Sequence, residues 1–172
     1  MKTQVIVAHP HLENSKINKA WMERLKQEEN MTVHDLYGAY PTGRIDKEQE
    51  QTRLLAHERV VFQFPLYWYS SPSLLKEWQD VVLEYGWAYG AKGDKLHGKT
   101  FMLAISTGGP APAYQAGGYN QYSISELTKP FQAMANLTGM KFRPSFVLHG
   151  VHPLTDEQIQ ESAEDLVRTL QD

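Results

Sequence analysis

A chain of 172 residues, 41% hydrophobic and 22% charged, has the length and composition of a single globular domain, here residues 1–172, rather than of a disordered or fibrous chain. Its net charge of −3 gives no field to gather nucleic acid or an anionic membrane surface, so any anion has to be held by a local site. No apolar run reaches the roughly 18 residues of a membrane span, and the stretch before Pro10 is too short for a signal peptide. The absence of cysteine removes disulfides, thiolate nucleophiles and cysteine-built metal centres. A cytoplasmic protein is expected, with any redox chemistry carried by a bound cofactor.

The first apolar run, "QVIVA" (4–8), is continuous enough for a strand covered on both faces. It leads through "HPHLENSKIN" (9–18) into a helical pattern with Ile17, Ala20, Trp21 and Leu25 on one side. A loop entering a helix presents unpaired amides and the positive end of a dipole, which suits a phosphate. His9, Ser15 and Asn18 offer side-chain hydrogen bonds there, with Lys16 nearby; the simpler reading makes Ser15 a helix cap and His9 a turn residue. Neither G-x-G-x-x-G nor G-x-x-x-x-G-K-[ST] is present, which argues against a dinucleotide fingerprint and a P-loop.

A second strand is read at "MTVHDL" (31–36), followed by a helix over 46–56 that offers Leu54 and Leu55. The third strand, "RVVFQF" (59–64), runs into "PLYWYSSP" and a helical stripe of Leu74, Leu75, Trp78, Val81, Val82 and Tyr85. Ser71 is read as the cap and Pro72 as the first helical residue. Residues 65–70 then form the loop at the strand end, and three consecutive aromatics, Tyr67, Trp68 and Tyr69, cannot all enter one core. They are read as a platform for a ligand, against the plainer reading that they pack between sheet and helices.

The fourth strand, "TFMLAIS" (100–106), is followed by "STGGPAPAYQAGGY" (106–119), a long loop whose glycines let backbone amides approach a ligand. Tyr114 adds a hydroxyl; the alternative is a flexible crossover. Pro130 interrupts the next helical pattern, so a helix is expected to start near Lys129 with Pro130 in its first turn. The fifth strand is read at "FRPSFVLH" (142–149). After it, His149 and His152 have no third ligand at a suitable spacing, so no metal is expected. A Thr-x-x-Gln capping box at 155–158 opens a last helix with Ile159, Ala163, Leu166, Val167 and Leu170 on one stripe. Without a G-x-S-x-G elbow a hydrolase is disfavoured. Strands alternating with helices give a three-layer α/β domain whose ligand lies beyond the carboxyl ends of the strands.

Across nearly its whole length the chain resembles the flavodoxin-like NAD(P)H:quinone oxidoreductases of the DT-diaphorase group. It is most similar to their short bacterial members, which include ancillary subunits of glutathione-gated potassium efflux systems. The resemblance rests on "AHPHLENSKIN", "PLYWYSSPSLLKEWQDVVLEYGWAYG" and "STGGP". It implies a flavodoxin-like α/β/α fold with a five-stranded parallel sheet in the order 2-1-3-4-5, and bound FMN. His9, Ser15, Ile17 and Asn18 would surround the flavin phosphate, partly through backbone amides. Pro65, Leu66, Tyr67, Trp68 and Tyr69 would line the flavin ring, and Ser106, Thr107, Gly108, Gly109 and Tyr114 would approach its pyrimidine end. Gly108, Gly109 and Tyr114 would be the catalytic donors, stabilising negative charge as an oxyanion hole does. The histidine that the mammalian enzymes carry six residues after that tyrosine falls here on Asn120, a departure that puts a two-residue proton relay in doubt.

The same resemblance implies hydride transfer from NADPH or NADH to a quinone with ping-pong kinetics, and a homodimer; Trp87 and Tyr89, in the aromatic loop "YGWAYG" (85–90), are read as contributing to that interface or to the pocket. A regulatory role beside a potassium efflux transporter is the alternative. A flavodoxin-type electron carrier would call for a more acidic surface.

Overall fold

The computed structural model describes residues 1–171; Asp172, the last residue of the expected domain, lies outside them. Four parallel strands form the body of the sheet: β1 (Thr3–Val7), β2 (Met31–Asp35), β3 (Arg59–Pro65) and β4 (Thr100–Ser106). Two short strands, β5 (Lys141–Phe142) and β6 (Phe146–Leu148), complete it. The order is β2-β1-β3-β4-β5, with β6 also on β4. The expected fifth strand is thus split into two pieces, which pair with the two ends of β4: Thr100 with Lys141, and Ala104 with Phe146. Pro144 lies in the break, where a residue without an N–H cannot serve the ladder.

Among the described residues seven α-helices follow in chain order: α1 (Lys16–Leu25), α2 (Leu36–Ala39), α3 (Lys47–Leu55), α4 (Ser73–Val82), α5 (Ile124–Leu127), α6 (Lys129–Leu137) and α7 (Asp156–Gln171). Because side chains alternate along a strand, β1 sends Ile6 to one face and Val5 and Val7 to the other. Ile6, Phe62, Phe64 and Phe101 meet Leu54, Leu75, Trp78 and Phe131 of α3, α4 and α6. Val5, Val7, Val61 and Met102 meet Trp21, Leu25, Leu166 and Leu170 of α1 and α7. The indole of Trp21 donates to Ser162 Oγ at 2.9 Å, pinning α1 to α7.

Four expectations shift. Pro72 is the residue before α4 rather than its first, with ψ of 147° outside the helical range. The helix stops at Val82, so Tyr85 falls beyond it and is 66% exposed. Leu55 is likewise 51% exposed while Leu54 is buried. Leu36, read as strand, begins α2, because the Asp35 carboxylate accepts from Gly38 N at 3.1 Å and caps a helical turn. Pro130 sits in the first turn of α6 as expected, preceded by the extra turn α5, which a reciprocal Ser123–Glu126 capping box starts. The Thr155–Gln158 box opens α7: Thr155 N donates to Gln158 Oε1 at 2.9 Å and Gln158 N to Thr155 Oγ1 at 3.2 Å.

One charged group lies deep between α3 and α4. The Glu50 carboxylate, 1% exposed, accepts from Tyr40 Oη and Trp78 Nε1, each at 2.8 Å, and lies 2.9 Å from His34 Nε2.

Candidate functional site

The carboxyl ends of β1, β3 and β4 open onto a cleft of about 420 Å3. One wall comes from the loop after β1 and the start of α1: His9, Asn14, Ser15, Lys16, Ile17 and Asn18. The other comes from Pro65, Ser106, Val151 and His152. Among the described residues this lining holds Lys16 and no carboxylate, so nothing in it repels an anion.

Each residue of the first wall has a local reason for its place. Ser15 is the cap of α1, its Oγ accepting from Asn18 N at 3.1 Å. An accepting hydroxyl keeps its own hydrogen free, so capping and donation to a ligand are compatible. His9 Nδ1 accepts from His11 N at 3.0 Å, which puts the proton of the neutral ring on Nε2. Burial, assisted by His11, pushes His9 below the usual histidine value, and the ring is a neutral donor. Ile17 buries its side chain in the core, leaving its backbone in the first turn of α1.

Asn18 is a strut rather than a free arm: it is buried, its Nδ2 donates to Ser106 Oγ at 3.0 Å, and its carbonyl accepts from Gln63 Nε2 at 2.9 Å. It ties α1 to β3 and β4.

After β3, Leu66 N donates to Ser106 O at 2.9 Å, which keeps Pro65 and Leu66 against β4. The chain then reverses: Tyr67 and Ser70 exchange backbone hydrogen bonds at 3.0 and 2.9 Å, and between them Trp68 and Tyr69 both have positive φ, 46° and 61°. Two consecutive left-handed residues make the tight hairpin turn that usually takes Asn-Gly. For bulky side chains the strain is of order 1–3 kcal/mol each and is characteristic of functional sites. The turn leaves Trp68 93% exposed. Tyr67 stands edge-on to His9, ring centres 6.3 Å apart, and Tyr69 Oη donates to Asn120 Oδ1 at 3.1 Å.

The loop after β4 is held by the segment after β6. Thr107 N donates to Leu148 O at 2.9 Å, Gly150 N to Gly109 O at 2.9 Å and Val151 N to Thr107 O at 3.2 Å. A side chain on Gly108 or Gly109 would have to push a neighbour aside: a Cβ on Gly108 would stand 2.8 Å from His152 Nε2, and one on Gly109 3.0 Å from Tyr114 Oη and 2.9 Å from Tyr119 Oη. Among the described residues neither glycine N–H has a protein acceptor. Two adjacent open amides beside a phenol hydroxyl form a donor set for negative charge.

The structure therefore brings His9, Ser15, Ile17, Asn18, Pro65 and Ser106 to one cleft, with Thr107, Gly108, Gly109, Tyr114 and the aromatic hairpin built on the same strand ends. Trp87 and Tyr89 are half-buried against the core and do not line the cleft. Val151 and His152 join the lining; the strand-end rule points to the segment that holds them, "HGVHP", but not to these two residues as ligand contacts. A second hollow of about 380 Å3 shares Asn14 to Lys16 but mixes Lys19 with Glu13, Glu23 and Asp156, and it lies between α1 and the start of α7.

Fold and cleft define a flavodoxin-like α/β protein with a carboxylate-free cleft at its strand ends. The family model for the flavodoxin-like fold, Flavodoxin_2, matches residues 1–170, and the chain belongs to that family. The uncharacterized NAD(P)H oxidoreductase YrkL of Bacillus subtilis is 60% identical over 167 residues, 97% of this chain and 96% of the relative. The glutathione-regulated potassium-efflux system ancillary protein KefG of Yersinia enterocolitica is 39% identical over 170 residues, 99% of this chain and 92% of the relative. Among solved structures, general stress protein 14 of Treponema denticola in complex with FMN superposes with a TM-score of 0.96 at 40% identity, covering 99% of this chain and 98% of its own. An NADPH-quinone reductase from P. pentosaceus does so with a TM-score of 0.90 at 36% identity, covering 98% and 97%.

Proposed function

We propose that the protein, as a single domain acting in the cytoplasm, is an FMN-dependent NAD(P)H:quinone oxidoreductase. The observation that carries this reading is the pair of open Gly108 and Gly109 amides beside the Tyr114 hydroxyl, on the same strand ends as an anion-ready loop.

The donor set fits FMN. Ser15, the neutral His9, Lys16 and the first-turn amides of α1 suit its phosphate. Pro65, Leu66 and the aromatic hairpin suit a flat ring, and the glycine amides with Tyr114 suit the electron-rich edge of that ring. Bound FMN supplies hydride transfer between a nicotinamide and a quinone. The chain's part is to hold charge and exclude water: each well-placed donor to developing charge is worth roughly 3 kcal/mol, and Trp68, Tyr67 and Tyr69 offer faces for flat substrates. One shared face implies that NADPH or NADH and the quinone bind in turn, with ping-pong kinetics. The exposed Trp68, Tyr69, Tyr119 and Tyr122 are aromatic surface of the kind that a homodimer covers.

The test is an absorption spectrum before and after NADPH. Yellow protein that bleaches and is reoxidised by quinone is expected; protein that takes up no FMN overturns the reading. The KefG relatives support a second reading, an ancillary subunit of a potassium efflux transporter, which stoichiometric co-purification with that transporter would favour.

A further inference from the structure

His149, directly after β6, contacts two parts of the glycine-rich loop at once. Its Nδ1 lies 3.0 Å from Thr107 Oγ1, and Thr107 Oγ1 donates to Gly109 O at 2.8 Å. A hydroxyl has one hydrogen and a carbonyl only accepts. Since Thr107 gives its hydrogen to Gly109, the bond to His149 requires a hydrogen on Nδ1. The neutral ring then has an unprotonated Nε2. Among the described residues Nε2 has no hydrogen-bond partner, and it is not one of the buried unpartnered atoms, so it is open to water. On its other side the imidazole packs against the Tyr114 ring, centres 5.4 Å apart and planes 32° from parallel.

The tautomer is therefore set by a chain ending at Gly109, and the free nitrogen belongs to a ring lying on Tyr114. Quinone reduction by NAD(P)H needs a proton: the nicotinamide C–H bond breaks to supply a hydride, which brings two electrons and one hydrogen. One further proton completes the second O–H bond of the hydroquinone.

We propose, resting on the function assigned above, that His149 is the proton-handling partner of Tyr114. Its Nε2 takes a proton from solvent and holds it beside Tyr114 until the acceptor's second O–H bond forms, while Nδ1–H keeps its bond to Thr107. Protonation does not break the chain to Gly109, because the atom that gains the hydrogen is not the one that Thr107 holds. The groups facing His149 are the Thr107 hydroxyl from the end of β4 and the Tyr114 phenol from the glycine-rich loop. Burial alone pushes His149 below the usual 6.5, so the ring is neutral at rest. It acts through Tyr114, and is a positioning residue.

The experiment has two arms. In the first, long-range 1H–15N NMR of the protein free of FMN reads the tautomer of His149. Hydrogen on Nδ1 is expected with titration below the ordinary value, and hydrogen on Nε2 overturns the proposal. In the second, kcat against pH is measured on the FMN-loaded wild type and His149→Gln, with His149→Phe keeping a ring against Tyr114. Wild-type turnover is expected to fall as pH rises through the His149 pKa. In His149→Gln that limb disappears and turnover drops by about 10-fold or more, with the Kd for FMN within roughly twofold. An unchanged pH limb in His149→Gln overturns the proposal, as does loss of FMN affinity equal to the loss of turnover in both variants, which marks structural support alone. Should His149→Gln fail to fold, His149→Phe and the NMR arm decide. Wild-type protein that binds no FMN or reduces no quinone sinks the assigned function instead, a failure that neither histidine variant can mimic.

Discussion

The hydroxyl of Tyr69 donates to Asn120 Oδ1 at 3.1 Å, and this bond joins the aromatic hairpin after β3 to the far end of the glycine-rich loop after β4. Asn120 is itself anchored, its N donating to Ala113 O at 3.1 Å. It thus serves the hairpin and makes no hydrogen bond to Tyr114. An exposed bond of this kind is worth about 1 kcal/mol. Tyr69→Phe and Asn120→Leu should each speed FMN release several-fold, and the double variant should be no worse than the worse single one. Stopped-flow release of FMN checks this, and additive effects would dismiss the link.

Trp68 has positive φ and is almost wholly exposed, so it carries strain with little compensating burial. Trp68→Gly should raise stability by about 1 kcal/mol, or roughly 2–4 °C in Tm for a chain of this size, while raising KM for the quinone. A variant that gains stability with unchanged KM would mean that Trp68 is no platform.

Tyr114→Phe removes the hydroxyl beside Gly109 but leaves the ring against His149. Turnover should fall by about 100-fold, with FMN affinity changed far less; equal losses in the two would assign Tyr114 to binding.

Ser15 both caps α1 and faces the cleft, and two substitutions separate these roles. Ser15→Ala should cost about 1 kcal/mol of stability and weaken FMN binding. Ser15→Asp keeps a good cap but sets a negative charge where a phosphate is expected, so stability should hold while FMN affinity collapses. Calorimetry and FMN titration measure the two; unaltered affinity in both variants would leave Ser15 only its cap.

Burial pushes the Glu50 carboxyl up, but donation from His34, Trp78 and Tyr40 outweighs it, and the net effect is a value below the usual 4.5. With the folded-state value below the unfolded one, ionised Glu50 contributes stability that is present above pH 4.5 and is lost as pH falls through the folded-state value. Denaturant unfolding across that window should show this slope. Glu50→Gln should flatten it and cost about 3 kcal/mol at neutral pH; a variant as stable as wild type would contradict the network.

The central strands were readable because β1, β3 and β4 are covered on both faces, which leaves runs such as "TFMLAIS" with almost no polar residue. The last helix was readable because its capping box and stripe are local. Pro72 was placed one residue off because proline suits both the cap and the first turn. Tyr85 continued the i, i+3 spacing on paper, but the helix had already ended at Val82. The positive-φ turn was hidden because Asn and Gly signal such a conformation and Trp-Tyr does not. The contribution of His149 and His152 was hidden for another reason: β6 pairs in parallel with β4 and carries "HGVHP" to "STGGP", 42 residues apart in the contact between Thr107 and His149. No local pattern reports such a meeting.

The bond between Trp21 and Ser162 has a consequence for how the chain is made. Its two residues are 141 apart, so at about 5–20 residues per second a ribosome delivers the second about 7–28 s after the first. During that interval the greasy side of α1 has no lid, although the opposite side of the sheet can already be closed by α3, α4 and α6. Newborn chains are therefore sticky on one defined side, and a holding chaperone would meet Trp21 and Leu25 before α7 does.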